Sequence, residues 1–475
     1  MTRKAVGGAG ASPTKHDTTH DTRHGTRHDT RHPRHNALLA AIIALIVAVS
    51  AAIYVGAAAG DGSGGGSRDN LVGSRSPRNP ADRASSGTWV GTWSASPVGA
   101  EPGTETAGLA DRSVRNVVHT SAGGTSARIT LSNLYGQSPL TITHASIAVA
   151  AGDDTAAAAP GTMRRLTFNG STTAVVPPGR QLMSDAVRIA VPHDSDVLVT
   201  TYSPSATGPV TYHPRAHQIS YAGQGDLAED VTGAAYTEEV EYWRYLTAVD
   251  VLSNEANGTV VAFGDSLTDG VGSSRGANSR WPDLLSDRLR EAVEDGEDAP
   301  RYSVVNQGIG GNQVLANGSG RPAENQSGID RFDRDVLSRT NVKAVIIDLG
   351  VNDILRNPGR ADPDAILDGL RNLVQQAHAR GLKVIGATLM PFGGLRSYSA
   401  ERESVRQAVN AGIRAGDVFD AVVDFDEAVR DPYDPRKFHP DYDSGDHLHP
   451  SDEGYERMAE EFNLNDLKGG APARL

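Results

Sequence analysis

The chain has 475 residues, no cysteine and a formal net charge of −13. At about 150 residues per domain, that length suggests two or three folded units with ample core. The acidic balance disfavours a nucleic-acid partner. The lack of cysteine excludes disulfides, thiolate nucleophiles and Cys-ligated zinc.

In the first 36 residues His16, His20, His24, His28 and His32 recur at every fourth position, within repeats such as Asp21-Thr22-Arg23-His24. On a helix they would share a face and could hold a metal. Their neighbours are Thr, Asp, Gly and Arg with almost nothing apolar, so residues 1–36 read as a disordered tail without fixed ligand geometry. Residues 37–59 are apolar and uncharged, long enough to span a bilayer. Arg23, Arg27, Arg31 and Arg34 precede them, which places the N-terminus inside and the rest outside. The run reads as a retained anchor, being longer than a usual signal-peptide core. The other reading is a signal peptide cut near Ala57-Ala58-Ala59. Either way the protein is expected to be membrane-anchored with an extracellular catalytic domain, or secreted. Residues 60–87, rich in Gly, Ser, Pro and charge, read as a flexible linker.

From 88 to 257 short runs alternate apolar and polar residues, as at 128–132, 140–143 and 186–191. Period two predicts half-buried strands. Residues 196–202 are more continuously β-prone and fit a deeper strand. Turn signals at 122–124 and 177–179 punctuate the runs, and no helix-length periodicity interrupts them, so the region reads as β-sandwich-like. Trp89, Trp93 and Trp243 could stack on sugar rings, but large aromatics more often pack inside. His119 and His144 read as ordinary strand histidines.

From Gly258 strand and helix alternate. Strands are predicted at 260–263, 302–306, 344–349, 383–389 and 421–425. Helices are predicted at 281–293, from Asp362-Pro363 to Gly381, at 400–414 and at 451–462. Such alternation implies a parallel sheet covered by helices on both faces. Ser266 follows the first strand, Gly311 the second and Asn352 the third. Asp446 and His449 precede the last helix. In a parallel sheet all of these reach one edge, where sites of open α/β sheets lie. Acyl transfer needs a nucleophile, a base, a group orienting the base and donors for the oxyanion. Ser266 can be the nucleophile, His449 the base and Asp446 its orienting carboxylate. The N–H groups of Ser266 and Gly311 and the Asn352 amide can meet the oxyanion, with no metal or organic cofactor.

In chain order the blocks are Gly264-Asp265-Ser266-Leu267, Gly311-Asn312, Gly350-x-Asn352-Asp353 and Asp446-x-x-His449-Pro450. With these the chain resembles the SGNH, or GDSL, hydrolase superfamily, named for residues matched here by Ser266, Gly311, Asn352 and His449. The resemblance covers about 258–465, leaving a tail at 466–475. It implies a flavodoxin-like three-layer parallel sheet behind the β-sandwich-like domain at 88–257. It also implies a serine esterase acting on a carboxylic ester, such as an acylated glycan or lipid. The upstream residues Trp89 to Trp93 and Leu131-Ser132-Asn133 are loosely similar to the β-rich part of exported bacterial members.

His447 stands where many members have glycine, so His447 and, more weakly, His439 rival His449, and Asp443 rivals Asp446. Asp265, Asp269 and Asp353 read as hydrogen-bonding turn residues. Thr268 breaks the G-x-S-x-G pattern of the α/β-hydrolase elbow. Two other roles share these features: acyl transfer to cell-envelope sugars, and carbohydrate binding by the β-rich region.

Overall fold

The computed structural model of the protein describes residues 87–205, 208–318, 325–357 and 359–470. The expected tail at 1–36, the apolar segment at 37–59 and linker residues 60–86 lie outside the described residues. Among the described residues no helix is long and apolar enough to cross a membrane.

The β-rich region is built around two larger antiparallel sheets, with a three-stranded and a two-stranded sheet beside them. One of the larger sheets runs in the order Thr88–Ser94, Leu246–Ser253, Gly124–Ser132, Val187–Val191. The other runs Glu238–Val240, Ser220–Gln224, Arg112–Thr120, Ser195–Ser203, His144–Val149, Arg164–Arg165. Ile129, Leu131, Val249 and Val251 of the first share one buried cluster with Val118, Ile147, Val197 and Val199 of the second. Burial of both inner faces in one core is what makes the pair a sandwich. The second sheet is also covered on its outer face, where Val117, Ala148 and Leu198 pack with Tyr221 and Tyr236. A strand buried on both faces needs no alternation, which accounts for the continuous run at 196–202.

Trp93 and Trp243 are buried edge to face, with ring centroids 4.9 Å apart, and Trp243 Nε1 donates to Val117 O at 2.7 Å. The Arg128 guanidinium lies 4.5 Å from the Trp89 ring. Trp93 and Trp243 therefore present no open face to a sugar.

The C-terminal sheet has five parallel strands: β1 (Gly258–Gly264), β2 (Tyr302–Gly308), β3 (Val342–Asp348), β4 (Lys383–Ala387) and β5 (Ala421–Val423). Their order is β2-β1-β3-β4-β5. Every residue of β1 is buried, as its unbroken apolar run requires between two neighbours. Strand order reverses at β1, the switch point beyond which such sheets bind ligands. Gly264 is in register with both Gly308 and Asp348, so three strands end at one level.

Helix Trp281–Glu294 packs on Asp452–Glu460, and Pro363–His378 on Ala400–Arg414. Their starts follow from their caps: the side chains of Asp362, Ser399 and Ser451 accept from the N–H groups of Asp364, Arg402 and Gly454. The last strand is shorter than the pattern at 421–425 suggests. Asp424 accepts from Glu427 N at 3.0 Å and starts a short helix, Phe425–Val429. The helical turn Gly328–Phe332 and the π-turn Asp333–Leu337 that follows it were not anticipated.

The sandwich lies tightly against the parallel sheet within one compact unit. Gly91 N donates to Thr259 Oγ1 at 3.0 Å, and a Cβ at Gly91 would lie 3.2 Å from Val305 Cγ1. The closeness of that contact predicts that Gly91→Leu lowers stability through overpacking, by about 1–3 kcal/mol. Thermal unfolding of the full chain checks this; an unchanged Tm would contradict it.

Asp348, closing β3, accepts from Thr268 Oγ1 at 2.9 Å. Burial pushes its pKa up to about 6. The folded chain therefore keeps a proton that the unfolded chain releases near pH ~4. The associated stability is full below that pH and is lost as pH rises through about 6. Asp348→Asn removes this titration, so its Tm relative to the parent is expected to improve between acid and neutral pH. A Tm difference that does not change with pH would contradict the assignment.

Candidate active site

The turn that bears Ser266 is forced by its glycine. A Cβ at Gly264 would lie 2.0 Å from Thr268 Oγ1 and 2.9 Å from Asp348 O. Only glycine leaves room for the short helix Ser266–Asp269 to start as β1 ends. Asp265 caps that helix, accepting from Leu267 N at 3.0 Å. Its other oxygen accepts from Asn352 Nδ2 at 2.8 Å. Burial, then the nearby Asp348 carboxylate, raises the Asp265 pKa well above the ordinary carboxylate range.

Ser266 Oγ lies 2.9 Å from His449 Nε2, and His449 Nδ1 lies 2.5 Å from Asp446 Oδ2. Asp446 also accepts through Oδ1 from the N–H groups of Leu448 (2.9 Å) and His449 (2.8 Å). This local turn explains the three-residue spacing: the carboxylate folds back over its own loop and reaches the ring. Partial burial opposes ionisation of Asp446. The hydrogen bonds from the His449 ring and backbone outweigh it and hold the carboxyl well below its usual range. With Nδ1–H donating to a carboxylate, Nε2 is left as acceptor for the Ser266 hydroxyl.

The rival residues stand elsewhere. His447 Nδ1 pairs with Asp443 Oδ2 at 2.6 Å, and half of the His447 side chain is exposed. The same loop thus holds two His–Asp pairs, and His449–Asp446 is the one hydrogen-bonded to Ser266. His439 caps the 3-10 turn Pro440–Tyr442, with its ring 5.0 Å from that of Tyr442.

Gly311 follows β2 with φ +77°, a left-handed conformation that glycine adopts without strain. Neither its N–H nor that of Ser266 has an acceptor among the described residues. Asn352 lies in the helical turn Val351–Arg356 just after β3. One hydrogen of its Nδ2 goes to Asp265, and its Oδ1 accepts from Arg356 Nε at 3.2 Å, which fixes the amide. The second hydrogen is left for a ligand.

Several supporting residues were not singled out from sequence. Arg331 is fully buried, 3.9 Å from the Phe263 ring centroid. It donates to Gly264 O (2.7 Å), Gln307 O (2.8 Å), Asn312 Oδ1 (2.9 Å) and Asp335 Oδ2 (3.1 Å). Asp269, read as a turn residue, accepts from Gly310 N at 3.0 Å, one residue before Gly311. A Cβ at Gly308 would lie 2.2 Å from Asp269 N, so the two loops can meet only at a glycine. Asp353 takes the N–H groups of Val314 (2.7 Å) and Leu315 (3.0 Å) and so holds the far end of the Gly311 loop. A usable signal for Arg331 was Ser327 three residues before Asp330, a helix-start pattern; Ser327 does accept from Asp330 N.

Residues 262–457 match the sequence profile of the GDSL-like Lipase/Acylhydrolase family. No curated protein matches the chain. Among solved structures, the chain is similar to Est24, a carbohydrate acetylesterase from Sinorhizobium meliloti. The identity is 19%, the TM-score 0.33, and the match covers 42% of this chain and 94% of that one. It is similar to the M. smegmatis aryl esterase at 18% identity and TM-score 0.34, over 43% of this chain and 95% of that one. It is also similar to a GDSL-like lipase from Bacteroides thetaiotaomicron VPI-5482, at 22% identity and TM-score 0.29 over 42% and 84%. Residues 262–457 of this chain thus carry a GDSL-like lipase/acylhydrolase domain, that of a carboxylic ester hydrolase.

Proposed function

We propose that the protein is an extracytoplasmic serine ester hydrolase that works through an acyl-enzyme. The observation that carries the mechanism is the hydrogen-bonded series Asp446–His449–Ser266. In this reading Ser266 Oγ attacks the ester carbonyl carbon while its proton passes to His449 Nε2. Asp446 keeps the ring in the required tautomer and offsets the imidazolium charge. The oxyanion meets the N–H groups of Ser266 and Gly311 and the free hydrogen of Asn352 Nδ2. His449 then protonates the departing alcohol. Water, deprotonated by His449, attacks the acyl carbon and releases the acid and Ser266.

The extracytoplasmic part of the proposal rests on sequence: the apolar run at 37–59 behind Arg23, Arg27, Arg31 and Arg34. The acyl and alcohol groups are best sought with a panel of short aryl esters, acetylated glycans and phospholipids.

Ser266→Ala is expected to lower kcat/KM on any ester the parent cleaves by at least about 10⁴-fold, and Asp446→Asn by about 10³–10⁴-fold, with both proteins folded. Steady-state assays of purified protein check both values. Undiminished turnover by Ser266→Ala would overturn the mechanism.

A further inference from the structure

We propose that His213 of the β-rich region is a positioning residue for the Gly311 loop, which makes the sandwich a working part of the hydrolase site. The proposal rests on the oxyanion role given to Gly311 above.

His213 ends the short strand Thr211–His213, which pairs with Trp243–Arg244 and Gly99–Ala100 of the same region. Its ring lies 5.5 Å from that of Trp243 and is almost completely buried. Nε2 reaches out of the sandwich to Asp269 Oδ1 at 2.9 Å. The other oxygen of that carboxylate holds Gly310 N at 3.0 Å. Asp269 is thus shared: one oxygen is taken by the sandwich, the other by the loop that presents the Gly311 N–H.

On its far side the ring is also held. Nδ1 lies 2.8 Å from Ser96 O, which can only accept. Both ring nitrogens therefore face oxygen acceptors. The contact with Asp269 is buried, the carboxylate side chain being only 5% exposed. Burial opposes ionisation of Asp269, yet the charge and hydrogen bond of His213 outweigh it and hold the carboxyl below its usual range. Ser96 is itself tied to the parallel sheet, through Arg331 Nη1 at 3.2 Å and through Gln307 at the end of β2. Two connected bonds therefore lead from the sandwich to the residue before Gly311.

A carboxylate with one partner removed is a buried, uncompensated charge that must relax or take a proton. Either change alters the acceptor on which Gly310 N rests. A displaced oxyanion donor affects the transition state more than the bound substrate, so kcat should fall while KM stays near its parent value.

The test uses the full chain with three variants. His213→Leu removes the donor at similar bulk. His213→Gln keeps an N–H that can reach Asp269. Asp269→Asn leaves the ring in place but offers one acceptor oxygen where two donors converge. Hydrogen-exchange mass spectrometry follows peptides covering 308–313, and kcat and KM are measured on an aryl ester. In His213→Leu and Asp269→Asn, exchange at 308–313 is expected to rise well above that of the rest of the sheet. Their kcat is expected to fall about 10–100-fold, short of the loss of a whole oxyanion donor, with KM within about threefold. His213→Gln should restore most of the kcat and the protection. Unchanged exchange at 308–313, or an equal rise throughout the chain, would overturn the proposal. If His213→Leu does not fold, Asp269→Asn carries the same comparison. The exchange readout needs no substrate. Ser266-independent turnover with altered exchange would therefore remove the esterase mechanism and leave the positioning role. Ser266-dependent turnover with unaltered exchange would do the reverse.

Discussion

A single buried guanidinium gathers the ends of the strands that carry the site. Arg331 takes the last carbonyl of β1, a carbonyl of β2, the Asn312 side chain beside Gly311, and Asp335. A charge this deep is costly unless its donors are used. Here the acceptors are two backbone carbonyls at the ends of β1 and β2 and two side-chain oxygens, so the donors are used. Burial lowers the Arg331 pKa to about 10, so it stays a cation at any ordinary pH. Asp335 supplies the balancing charge, held to about 2 against burial by Arg334 and Arg331. Because the guanidinium is planar and its donors point in fixed directions, the bonds set both the spacing of the strand ends and the entry of the Gly311 loop.

Around that anchor the aspartates divide by environment. Asp446 sits on an exposed loop, receives three N–H donors and stays ionised, as a group orienting an imidazole must. Asp265, Asp348 and Asp353 are buried among apolar strands, and burial raises all three. Their work is structural: capping a turn, fixing Asn352, holding the backbone of the Gly311 loop. Asp269 differs, since a histidine from the neighbouring region stands against it. One residue type thus serves as charge, cap and tether within a short distance of Ser266, and solvation with donor count decides which.

Much of this was legible from local pattern. The unbroken apolar run of β1, the helix caps at Asp362, Ser399 and Ser451, and the β-to-α alternation are local signals that the fold obeys. The grouping of Ser266, His449 and Asp446 was also readable, because strand ends of a parallel sheet share an edge. What escaped were the distant contacts that no strand-end rule brings together. Nothing near Arg331 in sequence names Gly264 or Gln307. Nothing near His213 names Asp269, since these partners lie in different regions of the chain. The strand expected at 421–425 was cut short by one capping aspartate, a competition that propensity does not resolve. The burial of Trp93 and Trp243 likewise depends on how two sheets face each other.

Covalent capture of Ser266 bears most directly on the mechanism. The full chain is treated briefly with a fluorophosphonate until ester turnover stops, then digested, and the adduct is located by peptide mass spectrometry. The predicted result is an adduct on Ser266 that rises in step with the loss of activity. Complete loss of activity with the adduct on another residue, or full activity in a chain already modified at Ser266, would contradict it.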